Sequence, residues 1–213
     1  MLRLNKSLIT DLNPSSHISE SFRSLRTYIR QLGLLGGNSG KVLLFTSAEG
    51  GEGKTTILAN LAVSFVQDGK RVAVVDCNLR HPGLHSVFEV EGSHGLAAYL
   101  GGTEETKDVA VYGNLANLAV IPAGITAVSP PDLLGNDKMA ALLEELKTSF
   151  DLILLDSPQA VEFSDARILA PLTDGVIIVA RHGKSKREAL RKLKTLMDQT
   201  GTKILGIAMN HSK

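Results

Sequence analysis

Residues 41–56 read Lys-Val-Leu-Leu-Phe-Thr-Ser-Ala-Glu-Gly-Gly-Glu-Gly-Lys-Thr-Thr, and this stretch restricts the fold more than any other. An apolar strand runs into a glycine-rich turn. Lys54 and Thr55 then open a helix whose Ile57, Leu58, Leu61, Ala62 and Phe65 recur at helical spacing. Glycines at 50, 51 and 53 let backbone N–H groups curl around phosphate oxygens without a Cβ in the way. The helix N-terminus adds a fixed positive field at the same place. Lys54 has the reach for β- and γ-phosphates, and the Thr55 hydroxyl suits a magnesium ion. The usual pattern is Gly, four residues, Gly-Lys-Ser/Thr; Ala48 stands at its first glycine, so the strict form fails by one residue. The candidate nucleotide-binding residues are Glu49, Gly50, Gly51, Glu52, Gly53, Lys54, Thr55 and Thr56.

Six apolar runs predict strands over 41–46, 71–76, 118–121, 151–156, 175–180 and 203–209. Most are continuously apolar rather than alternating, the pattern of strands buried on both faces of a parallel sheet. Helical segments over 55–67, 138–148, 164–171 and 184–200 lie between them. Strand and helix alternate, so the fold class is α/β: a doubly wound, mainly parallel sheet with helices on both faces, as in P-loop NTPases. Right-handed crossovers then gather the loops after the strands on one rim, where ligands of such sheets bind. Ahead of the first strand, residues 16–32 form a predicted helix with Ile18, Phe22, Leu25 and Ile29 on one side. We divide the chain into an arm with its linker, residues 1–38, and a nucleotide domain, residues 39–213. The stretch 83–124 is less regular and yields one clear strand.

Composition removes several function classes. Lys and Arg number 23 against 22 Asp and Glu, so the net charge of +1 does not fit a globally basic nucleic-acid binder. Six Phe, three Tyr and no Trp leave few platforms on which single-stranded bases could stack. No nucleic-acid partner is expected. Cys77 is the single cysteine, which excludes an internal disulfide and a Cys-rich zinc site and suits a reducing, cytoplasmic setting. No apolar run reaches the ~18–20 residues of a membrane helix, and residues 1–13 lack the apolar core of a signal peptide. Contact with a membrane is therefore expected to be peripheral or through a partner.

Two further strands end in a carboxylate: Val72-Ala-Val-Val-Asp76 and Leu152-Ile-Leu-Leu-Asp156. Carboxylates at adjacent strand ends beside a phosphate loop can hold magnesium directly or through its waters, so Thr55, Asp76 and Asp156 are the candidate metal residues. Lys54, Asp76 and Asp156 are the candidate catalytic residues. Elsewhere, His81 and His85 are four apart but Pro82 and Gly83 separate them, which rules against a helical zinc pair. The segment 184–200 is amphipathic with a basic face; it reads as a core-packed helix with a solvated side, the alternative being a dock for an anionic membrane or an acidic partner.

Taken together, residues 46–56, 74–80 and 152–158 resemble the Walker A, Walker A′ and Walker B motifs of the bacterial tyrosine kinases (BY-kinases) of capsule and exopolysaccharide operons. These kinases group with the deviant P-loop ATPases that include MinD and ParA proteins. The resemblance spans residues 15–210 and extends to Arg80-His-Pro-Gly-Leu-His85, Gly95-Leu96, Ile121-Pro-Ala-Gly124 and Pro131-Asp-Leu-Leu134. MinD and ParA proteins carry a signature lysine just before the double glycine; Glu49 stands there, which favours the kinase subgroup. The resemblance also implies that Glu20, Arg23 and Arg26, a Glu-x-x-Arg-x-x-Arg motif, lie in the contact between subunits of a ring-shaped homo-oligomer. From spacing alone this trio is equally a solvated Glu–Arg set. Asn210 is placed by the resemblance where related ATPases read adenine.

The implied activity is ATP- and Mg²⁺-dependent phosphorylation of protein tyrosines in capsular or exopolysaccharide synthesis. A membrane polysaccharide co-polymerase would activate the enzyme through its cytosolic tail and hold it peripherally at the inner face of the plasma membrane. The alternatives are an ATPase switch without kinase activity and a nucleotide-controlled assembly module of an export complex. The sequence departs from the family at three places: Asn78 replaces the second Asp of Walker A′, Gln159 replaces the second proline of Walker B, and the family's tyrosine-rich tail has no counterpart among Tyr28, Tyr99 and Tyr112. Asn78 cannot act as a general base, so that role falls to Asp76.

Overall fold

The computed structural model describes residues 8–37, 39–112 and 115–211. Among the described residues the first elements are α1 (Ile9–Leu12) and α2 (His17–Gln31), followed by β1 (Lys41–Ser47) and α3 (Lys54–Gln67). Then come β2 (Val72–Asp76), α4 (Leu84–Phe88), α5 (Leu96–Gly101), α6 (Thr106–Val109), β3 (Val111–Tyr112) and β4 (Leu118–Ile121). The last part holds α7 (Pro130–Leu134), α8 (Asp137–Ser149), β5 (Leu152–Asp156), α9 (Asp165–Leu169) with a 3₁₀ turn over Ala170–Leu172, β6 (Gly175–Arg181), α10 (Arg187–Asp198) and β7 (Ile204–Asn210).

The seven strands form one sheet in the order β3-β4-β2-β5-β1-β6-β7. All pairings are parallel except β3 with β4, which is antiparallel and caps one edge. The α/β class and the six expected strands stand. Every residue of β2, β4 and β5 is buried, as the unbroken apolar runs require. The helices cover both faces: α2, α3 and α4 pack over Leu43, Phe45, Val72, Val74 and Leu154, and α5, α7, α8, α9 and α10 pack over Val42, Leu44, Ala73, Val75 and Ile153.

The strand order positions the site. β1 lies between β5 and β6, and β2 lies beyond β5. The chain leaves β1 for β2 on one side of the sheet and later leaves β5 for β6 on the other. That reversal opens a crevice at the strands' carboxyl ends, where ligands of such sheets bind.

The helix expected over 16–32 is α2. Ser16 caps it by accepting from the Ser19 N–H at 3.1 Å, and Gly33, with φ of 70°, ends it. Residues 1–7 and 38 of the arm, and 212–213 at the other end, lie outside the described residues. α2 lies against α3, burying Ile29, and the Tyr28 hydroxyl donates to the Leu205 carbonyl at 2.8 Å. The short α1, which has no periodicity to betray it, is held on α3 by Gln67, whose side chain donates to the Thr10 carbonyl at 3.1 Å, by Leu8 packing on Ala59 and Val63, and by the buried Asn60. Asn60 of α3 accepts from the Thr10 N–H at 3.0 Å and the Thr10 hydroxyl at 3.1 Å, and donates to the Thr56 carbonyl at 2.9 Å. Asn60→Ala takes away the side-chain acceptor of the Thr10 N–H and hydroxyl in the interior. It is expected to lower stability by about 2–3 kcal/mol, read as a shift of the urea midpoint.

Three local expectations are corrected. The helix expected over 184–200 begins only at Arg187, because the N–H groups of Lys184 and Ser185 fold back to the Arg181 carbonyl at 3.1 and 2.9 Å. The helix expected over 164–171 is the single turn and a half of α9, tightened to 3₁₀ at Pro171. The irregular stretch 83–124 holds three short helices and β3 as well as β4.

Candidate nucleotide and phosphoryl-transfer site

β1, β5 and β2 are neighbours, and their carboxyl ends carry all three motifs. Asp76 and Asp156 are direct register partners across the β2–β5 pair, and Asp156 faces Phe45 across β5–β1. The sequence expectation of carboxylates at adjacent strand ends beside the phosphate loop is therefore the observed arrangement.

The loop from Ala48 to Gly53 turns back on itself through Gly51 and Gly53, with φ of 72° and 91°. Gly53 has a second reason to be glycine: a Cβ there would stand 2.1 Å from Asn210 Nδ2. Glu52, although acidic, is buried. Its carboxylate accepts from the Glu49 N–H at 3.0 Å and from the Ser185 hydroxyl, while its carbonyl accepts from Asn210 Nδ2 at 2.9 Å. Glu52 and Asn210 thus fix the loop's shape from the side of β6 and β7. Asn210 Oδ1 also accepts from the His211 N–H, so its polar groups are engaged with the loop and the turn after β7. Glu49 and Gly50 are exposed, and the Gln159 side chain reaches over Gly50 and donates to Glu162 at 2.7 Å.

Lys54 is buried at the start of α3, and its ammonium donates to the Ser47 hydroxyl at 2.9 Å. Burial lowers its pKa, against the opposing pull of Asp156 and Glu52. The Thr55 hydroxyl donates to Asp156 Oδ2 at 2.5 Å. Asp156 Oδ1 is buried and, among the described residues, has no hydrogen-bond partner. Burial, with the facing Asp76 adding to it, pushes the Asp156 carboxyl up to about 7, while Thr55 and Lys54 pull the other way. A buried carboxylate oxygen with a free lone pair, next to a threonine hydroxyl and a phosphate cradle, is a donor set that suits magnesium, which takes few protein oxygens and completes its shell from water and phosphate.

Asp76 is bound differently. Its Oδ2 accepts from the Gly83 and Leu84 N–H groups at 2.8 and 2.9 Å, and its Oδ1 from the Asn78 N–H at 3.1 Å. Burial raises its pKa against these three amides and the nearby His85. Thr56 begins the exposed side of α3, and its carbonyl is taken by Asn60. Cys77 is fully buried and its thiol pKa is raised well above the ordinary value by burial and the three surrounding carboxylates. It is a core residue beside Asp76 at the end of β2.

Sequence reasoning missed the pair that joins the two aspartate loops. Arg80, after β2, forks onto Asp165 at the start of α9, with Nε–Oδ1 and Nη2–Oδ2 both 3.2 Å, and its guanidinium lies 4.3 Å from the Phe163 ring centre. Asp165 has no exposed surface. Only the flanking similarity at Arg80 hinted at it, since the partners are 85 residues apart. Arg80→Ala strands a buried carboxylate and is expected to cost about 3 kcal/mol. Arg80→Ala with Asp165→Asn should recover part of that loss in the same thermal melt.

Of the arm motif, Glu20 and Arg23 pair at 2.9 Å on the surface, and Arg23 also donates to the Pro14 carbonyl at 2.6 Å. Arg26 is turned away from them. It donates to the Ser64 carbonyl of α3 and lies 3.8 Å from Asp68.

The family model described as an AAA domain matches residues 40–207. Tyrosine-protein kinase YwqD of Bacillus subtilis is 33% identical over 211 residues, covering 99% of this chain and 88% of that protein. Tyrosine-protein kinase CpsD of Streptococcus agalactiae is 34% identical over 200 residues, covering 93% of this chain and 86% of that protein. Among solved structures, the kinase domain of Escherichia coli tyrosine kinase ETK superposes with a TM-score of 0.92 at 28% identity over 99% of this chain and 82% of that one. The cell division ATPase MinD of Pyrococcus furiosus reaches 0.67 at 29% identity over 80% of this chain and 71% of that one. A nucleotide-binding loop of P-loop ATPase type, two facing aspartates behind it and this degree of likeness over nearly the whole length lead to one conclusion: the chain belongs to the bacterial tyrosine-protein kinases of capsule and exopolysaccharide synthesis, a branch of the P-loop ATPases.

Proposed function

We propose that this kinase transfers the γ-phosphoryl group of magnesium-bound ATP to protein tyrosines through the crevice at the ends of β1, β2 and β5. The observation that carries the assignment of residues is the unpartnered buried Asp156 oxygen beside the Thr55 hydroxyl and the buried Lys54 ammonium. Gly50 to Gly53 present backbone N–H groups to the phosphates, and Glu49 and Thr56 border that cradle. Lys54 leaves Ser47 to neutralise charge that develops on the transferring group. Thr55 and Asp156 would hold the magnesium ion, which when bound neutralises charge across the β- and γ-phosphates. Asp76 serves as the base for the tyrosine hydroxyl. Its raised pKa makes it a stronger proton acceptor than a solvated carboxylate. Reaching the acceptor requires the turn 77–83 to lift, because amides of Gly83 and Leu84 occupy Oδ2. Asn210 acts by shaping the loop beneath the nucleotide.

For assembly, we assign the exposed Glu20–Arg23 pair to contacts between neighbouring copies in a ring and Arg26 to holding α2 on α3. Residues 1–38 then serve as an oligomerisation arm to the catalytic unit 39–213. No described helix is long and apolar enough to cross a membrane. In this reading the kinase works at the inner face of the plasma membrane, in the cytoplasm, bound to the cytosolic tail of a polysaccharide co-polymerase. Arg23→Ala should move the solution mass toward monomer with the melting temperature kept. Arg26→Ala should instead lower stability by about 1 kcal/mol. The test of the activity is incubation with Mg-ATP and the co-polymerase tail, followed by mass spectrometry for phosphotyrosine on this protein and co-purified proteins. Phosphate release without phosphotyrosine would overturn the transfer to tyrosine and leave an ATPase switch.

A further inference from the structure

The segment from Lys184 to Lys203 carries seven cations, Lys184, Lys186, Arg187, Arg191, Lys192, Lys194 and Lys203, against Glu188 and Asp198. Its net charge of +5 sits in a chain whose total is +1, so the rest of the molecule is net acidic. All seven cationic residues are exposed. Arg187, Arg191 and Lys194 recur at the i, i+4, i+7 positions of α10 and so line one face. Leu193 and Met197, roughly a quarter-turn round the helix from that stripe, are buried against the sheet. Lys194 pairs with Asp198 at 2.6 Å; among the described residues no other cation of the set has an ion-pair partner within 4.0 Å. α10 needs only its apolar side for the fold, and nothing in the packing calls for this density of positive charge.

We propose that the outward face of α10, with Lys184 and Lys186 before it and Lys203 after it, docks directly on an anionic lipid bilayer. Two features favour lipid over other anions. None of the described large apolar side chains that stand exposed lies between residues 184 and 203, whereas a protein interface is organised around buried aromatic or aliphatic anchors. The same stretch holds no aromatic residue on which bases could stack. Charge without an apolar anchor is the requirement of a surface that rests on phospholipid headgroups without inserting. The contact adjoins the catalytic rim. Ser185, between Lys184 and Lys186, donates to Glu52 of the phosphate loop, so a docked molecule holds its crevice close to the membrane plane.

The experiment is flotation of the purified chain, without nucleotide or partner, with phosphatidylcholine vesicles and with vesicles in which a third of the lipid is phosphatidylglycerol. Binding is expected to the anionic vesicles alone and to vanish at high salt. The combined Arg187→Glu, Arg191→Glu, Lys194→Glu variant should bind about a hundredfold more weakly. A control with the same change in net charge, Arg30→Glu, Arg71→Glu, Lys107→Glu, should keep most of the binding, since those cations lie elsewhere on the surface. Equal loss in both variants, binding to neutral vesicles, or no binding to anionic ones overturns the proposal. So does capture of duplex DNA as tightly as the anionic vesicles, or a change of solution mass in the α10 variant without any effect on lipid binding. The readout involves neither nucleotide nor phosphotyrosine, so its failure leaves the kinase assignment standing.

Discussion

Lys54→Met is expected to reduce phosphoryl transfer by about a thousandfold, the range seen when one charged stabiliser of a phosphoryl or oxyanion transition state is removed. The same substitution should leave the melting temperature unchanged or raise it. Lys54 is buried, and burial already works against its charge. Among the described residues its ammonium has one hydrogen bond, to Ser47, and the rest of that desolvated group is supported by Asp156 and Glu52 at a distance. A methionine fills the same channel without that penalty. The measurement pairs initial rates of phosphotyrosine formation with a thermal melt of the nucleotide-free protein. Unchanged turnover would refute the phosphate-loop assignment. A large fall in melting temperature would show instead that the ammonium holds the fold.

The second large effect belongs to Asp156. Its carboxyl titrates at about 7 in the folded chain against an ordinary 3.8. Between those values the folded state keeps a proton that the unfolded chain has released. Stability contributed by this group is therefore highest near pH 4 and falls as pH rises to 7, by an amount on the order of a few kcal/mol. Asp76, whose pKa is also raised, contributes with the same sign. Asp156→Asn removes the titration. The nucleotide-free variant should melt higher than the parent at pH 8, and the gap should close toward pH 5. Its kinase activity should drop at least a hundredfold because the oxygen pair facing Thr55 no longer carries charge. Thermal melts across that pH range decide it: a variant that melts lower at pH 8 would mean that the carboxylate is a structural anchor. The position then exchanges stability for function, as active-site groups commonly do.

Much of the sheet was legible because β1, β2 and β5 are unbroken apolar runs that end in a glycine loop or an aspartate. A chain can hide such runs only by covering both faces, which sets the class. The elements that escaped are those without a period. α1 and α6 are four residues each, and β3 is two; these owe their form to tertiary contacts such as Thr10 with Asn60. The start of α10 was misplaced because the Ser185 hydroxyl, free in principle to cap a helix, serves the Arg181 N–H and Glu52. Within the site, Lys54, Thr55, Asp76 and Asp156 were legible from local pattern alone. The Arg80–Asp165 fork and the grip of Asn210 on Glu52 were not, since they join residues 85 and 158 apart in sequence.

The closure of the phosphate loop around Glu52 has a consequence for timing. A loop held by bonds from Glu52 to the Glu49 N–H, to Ser185 and to Asn210 has given up much of its conformational freedom during folding. Nucleotide entering it meets a rigid seat, so association should run at the pace of encounter, and little ordering entropy is returned on departure. Release then depends on breaking contacts to the phosphates one spent product at a time. On the proposed reading, such an enzyme would reload quickly after each turnover, and stopped-flow measurement of diphosphate release against the turnover rate would check whether departure sets the pace.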